Sequence, residues 1–124
     1  MKSILVADRS ILIRGVLKQK LHKTKYRITG EAENGKQAVE KFLNTGPDIV
    51  MLEFLMPEMN GYEALREIIR INPEASVFMM STFKDKCLIT QSLELGAKGF
   101  FQKPDFEGLV ASFEQLEMAR HIHS

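Results

Sequence analysis

Residues 47–61 read Pro47-Asp48-Ile49-Val50-Met51-Leu52-Glu53-Phe54-Leu55-Met56-Pro57-Glu58-Met59-Asn60-Gly61. Ile49 to Leu52 are apolar at every position, not at every second one. A run this short and this continuous is the pattern of a strand covered on both faces, as in a parallel sheet. The run ends on an acid, Glu53. Met56-Pro57 and Asn60-Gly61 follow as breaks, and an amphipathic segment starts at Gly61.

The same alternation extends in both directions. Ile4 to Ala7 is a second short apolar run, bounded by polar residues. From Ser10 to His22, Ile11, Ile13, Val16, Leu17 and Leu21 recur at helical spacing, with Ser10 as the cap. Tyr26 to Ala32 reads as a strand and Asn34-Gly35 as a turn. Ala38, Val39 and Phe42 form a helix face that Gly46-Pro47 closes. Gly61 to Ile71 reads as a helix with Tyr62, Leu65, Ile68 and Ile69 inward, stopped by Asn72-Pro73. Val77 to Met80 is a strand whose Met79-Met80 pair belongs to the core. Asp85 to Leu95 is a helix ended by Gly96. Gly99 to Gln102 is a fifth strand. Glu107 to Arg120 is a last helix carrying Leu109, Val110, Phe113 and Leu116, and 121–124 is its frayed end. Five strand–helix pairs imply a doubly wound α/β sheet with parallel strands, right-handed crossovers and helices on both faces. Residues 1–124 are read as one domain without repeats or linkers.

Composition narrows the function. Of 124 residues, 44% are hydrophobic and 27% charged, a globular balance. The net charge of +1 offers no footprint for nucleic acid or an anionic membrane. Cys87 is the single cysteine, so no disulfide forms within the chain and a cytoplasmic setting is expected. Asp8 and Arg9 break the first apolar run before it reaches the length of a signal or membrane segment. Cys87 reads as an inert helix residue, and His22, His121 and His123 show no metal-ligand spacing.

Chemistry in such sheets gathers at the carboxyl ends of the strands. The residues just past those ends are Asp8 and Arg9, then Glu53, then Ser81 and Thr82, then Lys103. Two acids, two hydroxyls and two cations are therefore expected to converge.

Several spaced motifs carry a resemblance. They are Leu5-Val6-Ala7-Asp8, Asn34-Gly35 with Ala38, Met56-Pro57 with Met59-Asn60-Gly61, Ser81-Thr82, Gly96-Ala97 with Gly99-Phe100, and Lys103-Pro104. In these the chain resembles, over essentially its whole length, the receiver domain of bacterial two-component response regulators, the stand-alone CheY-like ones above all. The resemblance implies a flavodoxin-like five-stranded sheet of order 2-1-3-4-5 and a role in phosphorelay signal transduction, chemotaxis-like signalling included. In that family two adjacent acids and an acceptor aspartate bind Mg²⁺, and a hydroxyl and a lysine contact the phosphoryl oxygens. Carried over, Asp8 is the first acid, Ser81 the hydroxyl and Lys103 the lysine. Arg9 stands where the second acid belongs, and Glu53 where the acceptor aspartate belongs.

These two departures define the expectation. A guanidinium in place of a carboxylate puts a permanent cation beside the metal site, so Mg²⁺ binding is expected to be weakened, with Asp8 and Glu53 the only weak candidates as ligands. No other cofactor is expected, and the chain reads as a protein-interaction switch that is not an enzyme. Arg9 either bridges Asp8 and Glu53 in the metal's place or turns to solvent. The longer Glu53 either pairs with a cation or reaches Ser81 and Lys103 as an imitation of a phosphoryl group. Lys103 is expected to pair with Asp8 or Glu53 in either case. Asp8 has helix capping, and Ser81 backbone capping, as plainer roles.

By resemblance, Leu55 and Phe83 line the site, and their apolar side chains are expected to shield the ion pairs. Phe100 is the switch aromatic and is expected inward. Pro104 follows a cis bond. Partners are expected on the surface of the fourth helix, fifth strand and fifth helix, through Lys84, Lys86, Gln91, Glu94, Lys98, Phe100, Glu107, Ser112 and Gln115. A histidine kinase upstream and a homodimer through the same face stay open; nucleic acid and membrane contacts by this domain are not expected. Two other readings stay open. One is a phosphoacceptor that still uses Mg²⁺ with Glu53 or Ser81. The other is the receiver part of a DNA-binding transcriptional regulator.

Overall fold

The computed structural model describes residues 1–123, with side chains through Arg120. Expectations placed on the side chains of His121 and His123, and on Ser124, lie outside the described residues. The elements follow in the order β1 (Lys2–Ala7), α1 (Ile11–Lys20), β2 (Tyr26–Ala32), α2 (Gly35–Thr45), β3 (Ile49–Glu53), α3 (Gly61–Ile71), β4 (Val77–Ser81), α4 (Lys86–Leu95), β5 (Gly99–Gln102) and α5 (Leu109–His123). All pairings are parallel and the sheet runs β2-β1-β3-β4-β5, the order expected.

The continuous apolar strands serve two cores at once, because successive side chains of a strand leave opposite faces. Leu5, Ala7, Val50, Leu52, Val77 and Met79 point to a core closed by Phe42 of α2 and by Leu65 and Ile68 of α3. Ile4, Val6, Ile49, Met51, Phe78 and Met80 point the other way, to Leu17 of α1 and to Leu109 and Phe113 of α5. Met79 and Met80 thus lie in different cores, both buried.

The structure adds two helix caps to the sequence reading and moves several boundaries. Asn34 is a helix cap as well as a turn residue: its side chain accepts the Gln37 N–H at 2.8 Å. Asn60 does the same for Glu63, whose carboxylate accepts the Asn60 N–H in return, a capping box. β3 and β4 each run one residue further, so Glu53 and Ser81 are the last strand residues. α5 starts at Leu109, two residues later than expected, behind a turn at Glu107-Gly108. On α1, Ile11 is 72% exposed and does not join the packed face, which is supplied by Arg14 and Leu17.

Gly61 makes the loop after β3 compact. Its N–H donates to the Phe54 carbonyl at 2.9 Å, and a Cβ there would lie 1.9 Å from the Glu53 carbonyl oxygen. The start of α3 is therefore pressed against the strand end that carries Glu53. Gly35 meets Met59 the same way and ties α2 to this loop. Gly15, inside α1, has nothing within 4 Å of an added Cβ.

Opposite outcomes are expected for two alanine substitutions. Gly61→Ala costs about 3 kcal/mol, because backbone must move to admit the methyl. Gly15→Ala adds roughly 0.5–1 kcal/mol through helix propensity alone. Urea unfolding midpoints of the two variants check both signs.

Candidate functional site

Parallel strands bring their carboxyl ends to one edge, and four of the six expected residues meet there. Asp8 follows β1 directly and is completely buried. Its Oδ1 accepts the Ser10 N–H at 2.8 Å, and its Oδ2 accepts from Lys103 Nζ at 2.8 Å. Lys103, just past β5 and 6% exposed, also donates to Glu53 Oε1 at 2.7 Å. One ammonium therefore clasps both acids. Ser81, at the end of β4, is buried, and its Oγ accepts the Phe83 N–H at 3.1 Å, the backbone-capping role.

Of the two places open to Arg9, the structure takes solvent. Arg9 is exposed and forms no ion pair among the described residues. The cation between Asp8 and Glu53 is Lys103, whose stem reaches inward from the end of β5. Arg9 belongs to the short exposed link between Asp8 and the Ser10 cap. Glu53 spends its extra methylene on Lys103 and makes no hydrogen bond to Ser81. Thr82 is exposed and contributes its carbonyl, which accepts from Gln102 Nε2 at 3.0 Å.

Leu55 and Phe83 are 59% and 68% exposed, so the expected shielding does not come from packing. Phe100 is partly buried against the core, its ring stacked 6.3 Å from that of Phe54, which places it inward. The Lys103–Pro104 bond is cis. Cys87 is exposed on α4.

Arg14 escaped the sequence reading. It is buried, donates from Nη1 to the Asp8 carbonyl at 2.6 Å and from Nε to Glu31 Oε1 at 2.8 Å. It thereby holds the strand end that carries Asp8. The signal was present: Arg14 is three residues before Leu17, on the same helix face.

The electrostatics follow from the geometry. With Arg9 in solvent, one ammonium faces two carboxylates. Burial is the largest influence on Glu53 and pushes its carboxyl above the usual glutamate range. The Lys103 hydrogen bond opposes this, and the Asp8 charge reinforces it. Glu53 Oε2 is buried and has no hydrogen-bond partner. A proton on Glu53 removes the surplus negative charge that Lys103 leaves uncompensated.

The comparisons agree with this architecture. The model of the response regulator receiver domain matches residues 4–114. The chain is 39% identical over 103 residues to the chemotaxis protein CheY of Thermotoga maritima, spanning 83% of this chain and 86% of that one. It is 39% identical over 101 residues to CheY of Bacillus subtilis, spanning 82% and 84%. Among solved structures, the CheX–CheY–BeF3–Mg complex of Borrelia burgdorferi superposes with a TM-score of 0.87 at 30% identity, covering 93% of this chain and 88% of that one. The chain belongs to the response-regulator receiver family and is CheY-like. Among the described residues no helix is long and apolar enough to cross a membrane.

The Mg²⁺ that this family implies can be tested against the oxygens present. Asp8 Oδ1 is taken by a backbone N–H, and Asp8 Oδ2 and Glu53 Oε1 by Lys103, which leaves Glu53 Oε2 alone. Mg²⁺ requires near-octahedral oxygen ligation built on carboxylates. No group of three or more His, Cys, Asp or Glu among the described residues is placed to hold a metal. The arrangement does not fit the ion.

Removing the clasp has a calculable consequence. Lys103→Met leaves Asp8 as a buried, unpaired anion and is expected to destabilise the fold by about 3–5 kcal/mol. Adding Asp8→Asn is expected to recover much of that loss in urea unfolding.

The pH dependence also has a definite sign. The folded state holds the Glu53 proton to higher pH than the unfolded chain does. Its contribution is therefore complete below the ordinary glutamate value of 4.5 and is lost as pH rises through the elevated folded value. The natural protein is expected to lose stability relative to Glu53→Gln as pH rises above 4.5. Paired urea titrations across that range measure the difference.

Proposed function

We propose that this receiver is a signalling module that binds a protein partner without conventional aspartyl phosphorylation. One observation carries the reading: Lys103 clasps Asp8 and Glu53 together and leaves a single carboxylate oxygen free. Phosphoryl transfer depends on positioned cations that neutralise charge on the transferring group. Here Lys103, the buried cation at this edge, is already committed to two acids, and an exposed arginine stands where the second acid of the metal site belongs. Glu53 also carries its carboxylate one methylene beyond the place an aspartate would hold. A phosphodonor aligned for aspartate therefore meets it out of line.

On this reading the domain's task is binding in the cytoplasm, not catalysis. Lys103 is the resident cation, and Mg²⁺ is not required. The partner docks on the face of α4, β5 and α5, where Lys84, Lys86, Gln91, Glu94, Lys98 and Gln115 stand exposed and Phe100 lies at the edge of the core. The complex of Borrelia burgdorferi CheY with CheX supports the view that a domain of this kind takes a protein partner.

The test is exposure to a small-molecule phosphodonor with Mg²⁺, read by intact mass. The natural protein and Glu53→Asp are compared with Glu53→Asp/Arg9→Asp. No mass gain is expected in the natural protein, with phosphorylation returning in the double variant. A phosphate-sized gain on the natural protein would show that Glu53 or Ser81 accepts the group and would remove the proposal.

A further inference from the structure

The net charge of +1 conceals a division. Between Arg9 and Arg27 the chain carries seven cations and no acid, while the other 10 of its 17 cations share the rest of the chain with all 16 acids. Part of this surplus is neutralised from outside the segment: Glu31 pairs with Arg14 and Lys18, and Glu117 with Lys25. Lys23 and Arg27 are exposed and belong to no ion pair among the described residues. Both stand on the rim of one hollow of about 440 Å³, which Lys18 and His22 also border. Leu21, Tyr26 and Ile28 supply its apolar wall, and no acid lines it.

The turn between α1 and β2 builds this rim, and Thr24 holds the turn. Its N–H and its hydroxyl both donate to the Leu21 carbonyl, at 3.1 and 2.6 Å, and its Oγ1 accepts the Tyr26 N–H at 3.1 Å. The Gln19 carbonyl accepts the His22 N–H at 3.2 Å. Two of the last carbonyls of α1 are thus engaged, which reduces their opposition to an anion at this helix end. Lys23 has a φ of 64°, in the left-handed region that suits glycine, yet it carries a long cationic side chain. The hollow lies at the amino end of the sheet, where Tyr26 pairs with Lys2, whereas Glu53 closes the carboxyl end of β3. It shares no residue with the Lys103 cluster.

We propose that this hollow is a binding site for an organic phosphate monoester, with its phosphoryl head on Lys23 and Arg27 and its apolar body on Leu21, Tyr26 and Ile28. The volume falls within the range of about 300–1,000 Å³ found for small-molecule sites. The charge also matches. A phosphate monoester carries roughly 1.5 to 2 negative charges near neutral pH. The rim offers Lys23 and Arg27 without partners, while Lys18 is held by Glu31. The Arg27 guanidinium suits a pair of phosphoryl oxygens, and the Lys23 ammonium acts as a point charge. A carboxylate ligand would leave one of the two cations uncompensated. A nucleic-acid strand would use the cations alone and leave the apolar wall unused. The ester can be a soluble metabolite or a lipid head group, which share this chemistry. The proposal is independent of how Glu53 is read.

The probe is naphthyl phosphate, a monoester with a planar apolar body, titrated into the full chain and followed by backbone amide shifts. Saturable shifts within residues 18–28 are expected, and binding should weaken with added salt. Inorganic phosphate, which lacks the apolar body, should bind about tenfold or more weakly. Lys23→Asn/Arg27→Gln should lower the affinity for naphthyl phosphate about tenfold or more. Asparagine tolerates the left-handed backbone, and urea unfolding confirms that the variant folds. Lys36→Gln, which removes an exposed cation on α2, should leave the affinity unchanged. Vesicles of phosphatidylcholine with and without phosphatidic acid separate the two sources of the ester. Capture by the phosphatidic acid vesicles that naphthyl phosphate reverses assigns the site to a lipid head group, and any other result assigns it to a soluble ester. The proposal is overturned if no saturable shift appears in residues 18–28, if inorganic phosphate binds equally well, or if the double variant binds unchanged. Equal weakening by Lys36→Gln, or shifts centred on Asp8, Ser81 and Lys103, would also overturn it. So would a single-stranded oligonucleotide that binds residues 18–28 more tightly than the probe.

Discussion

The Lys103 ammonium, held 2.8 Å from Asp8 and 2.7 Å from Glu53, is the interaction on which the site depends. Each of the three groups comes from the carboxyl end of a different strand, so the clasp also ties β1, β3 and β5 together across the sheet edge. Buried charges are tolerated only when paired and hydrogen-bonded. Asp8 meets that condition on both oxygens, Lys103 with two acceptors, and Glu53 on one oxygen only. The imbalance sits at Glu53, whose carboxyl is pushed above the usual glutamate range by burial first and by the Asp8 charge second.

The surrounding backbone makes this geometry hard to relax. Gly61 presses the start of α3 onto the Glu53 carbonyl, and Asn60 closes that helix start with a capping box. Arg14 reaches from α1 to the Asp8 carbonyl and anchors the other acid's strand end. Ser81 spends its acceptor on the Phe83 N–H. Three charged groups at this edge, Asp8, Glu53 and Lys103, are thus engaged with one another.

Much of this was legible in the residues. Apolar runs of four or five residues alternating with helical periodicity gave the five strand–helix pairs, and parallel pairing followed from their alternation. The caps were not legible: Asn34 and Asn60 act through side-chain acceptors that a turn pattern does not distinguish from a plain turn. Ile11 misled because helical spacing shows which residues share a stripe, not which stripe is packed. Arg14 was overlooked because a charged residue on a buried face is rare without partners, and its partners, the Asp8 carbonyl and Glu31, are distant or unseen in the sequence.

The sequence by itself determined the fold class, the edge at which the polar residues gather, and the identities of Arg9 and Glu53 at that edge. Those depend on local periodicity and on residue identity. Only the tertiary structure decided which cation stands between the acids. Arg9 and Lys103 both arrive at the same edge, and their order along the chain does not separate them. Lys103 follows the buried end of β5 and extends inward, whereas Arg9 lies in the exposed link between Asp8 and the Ser10 cap. Which of two like charges is buried is set by backbone direction and desolvation, and neither is written in a one-dimensional pattern.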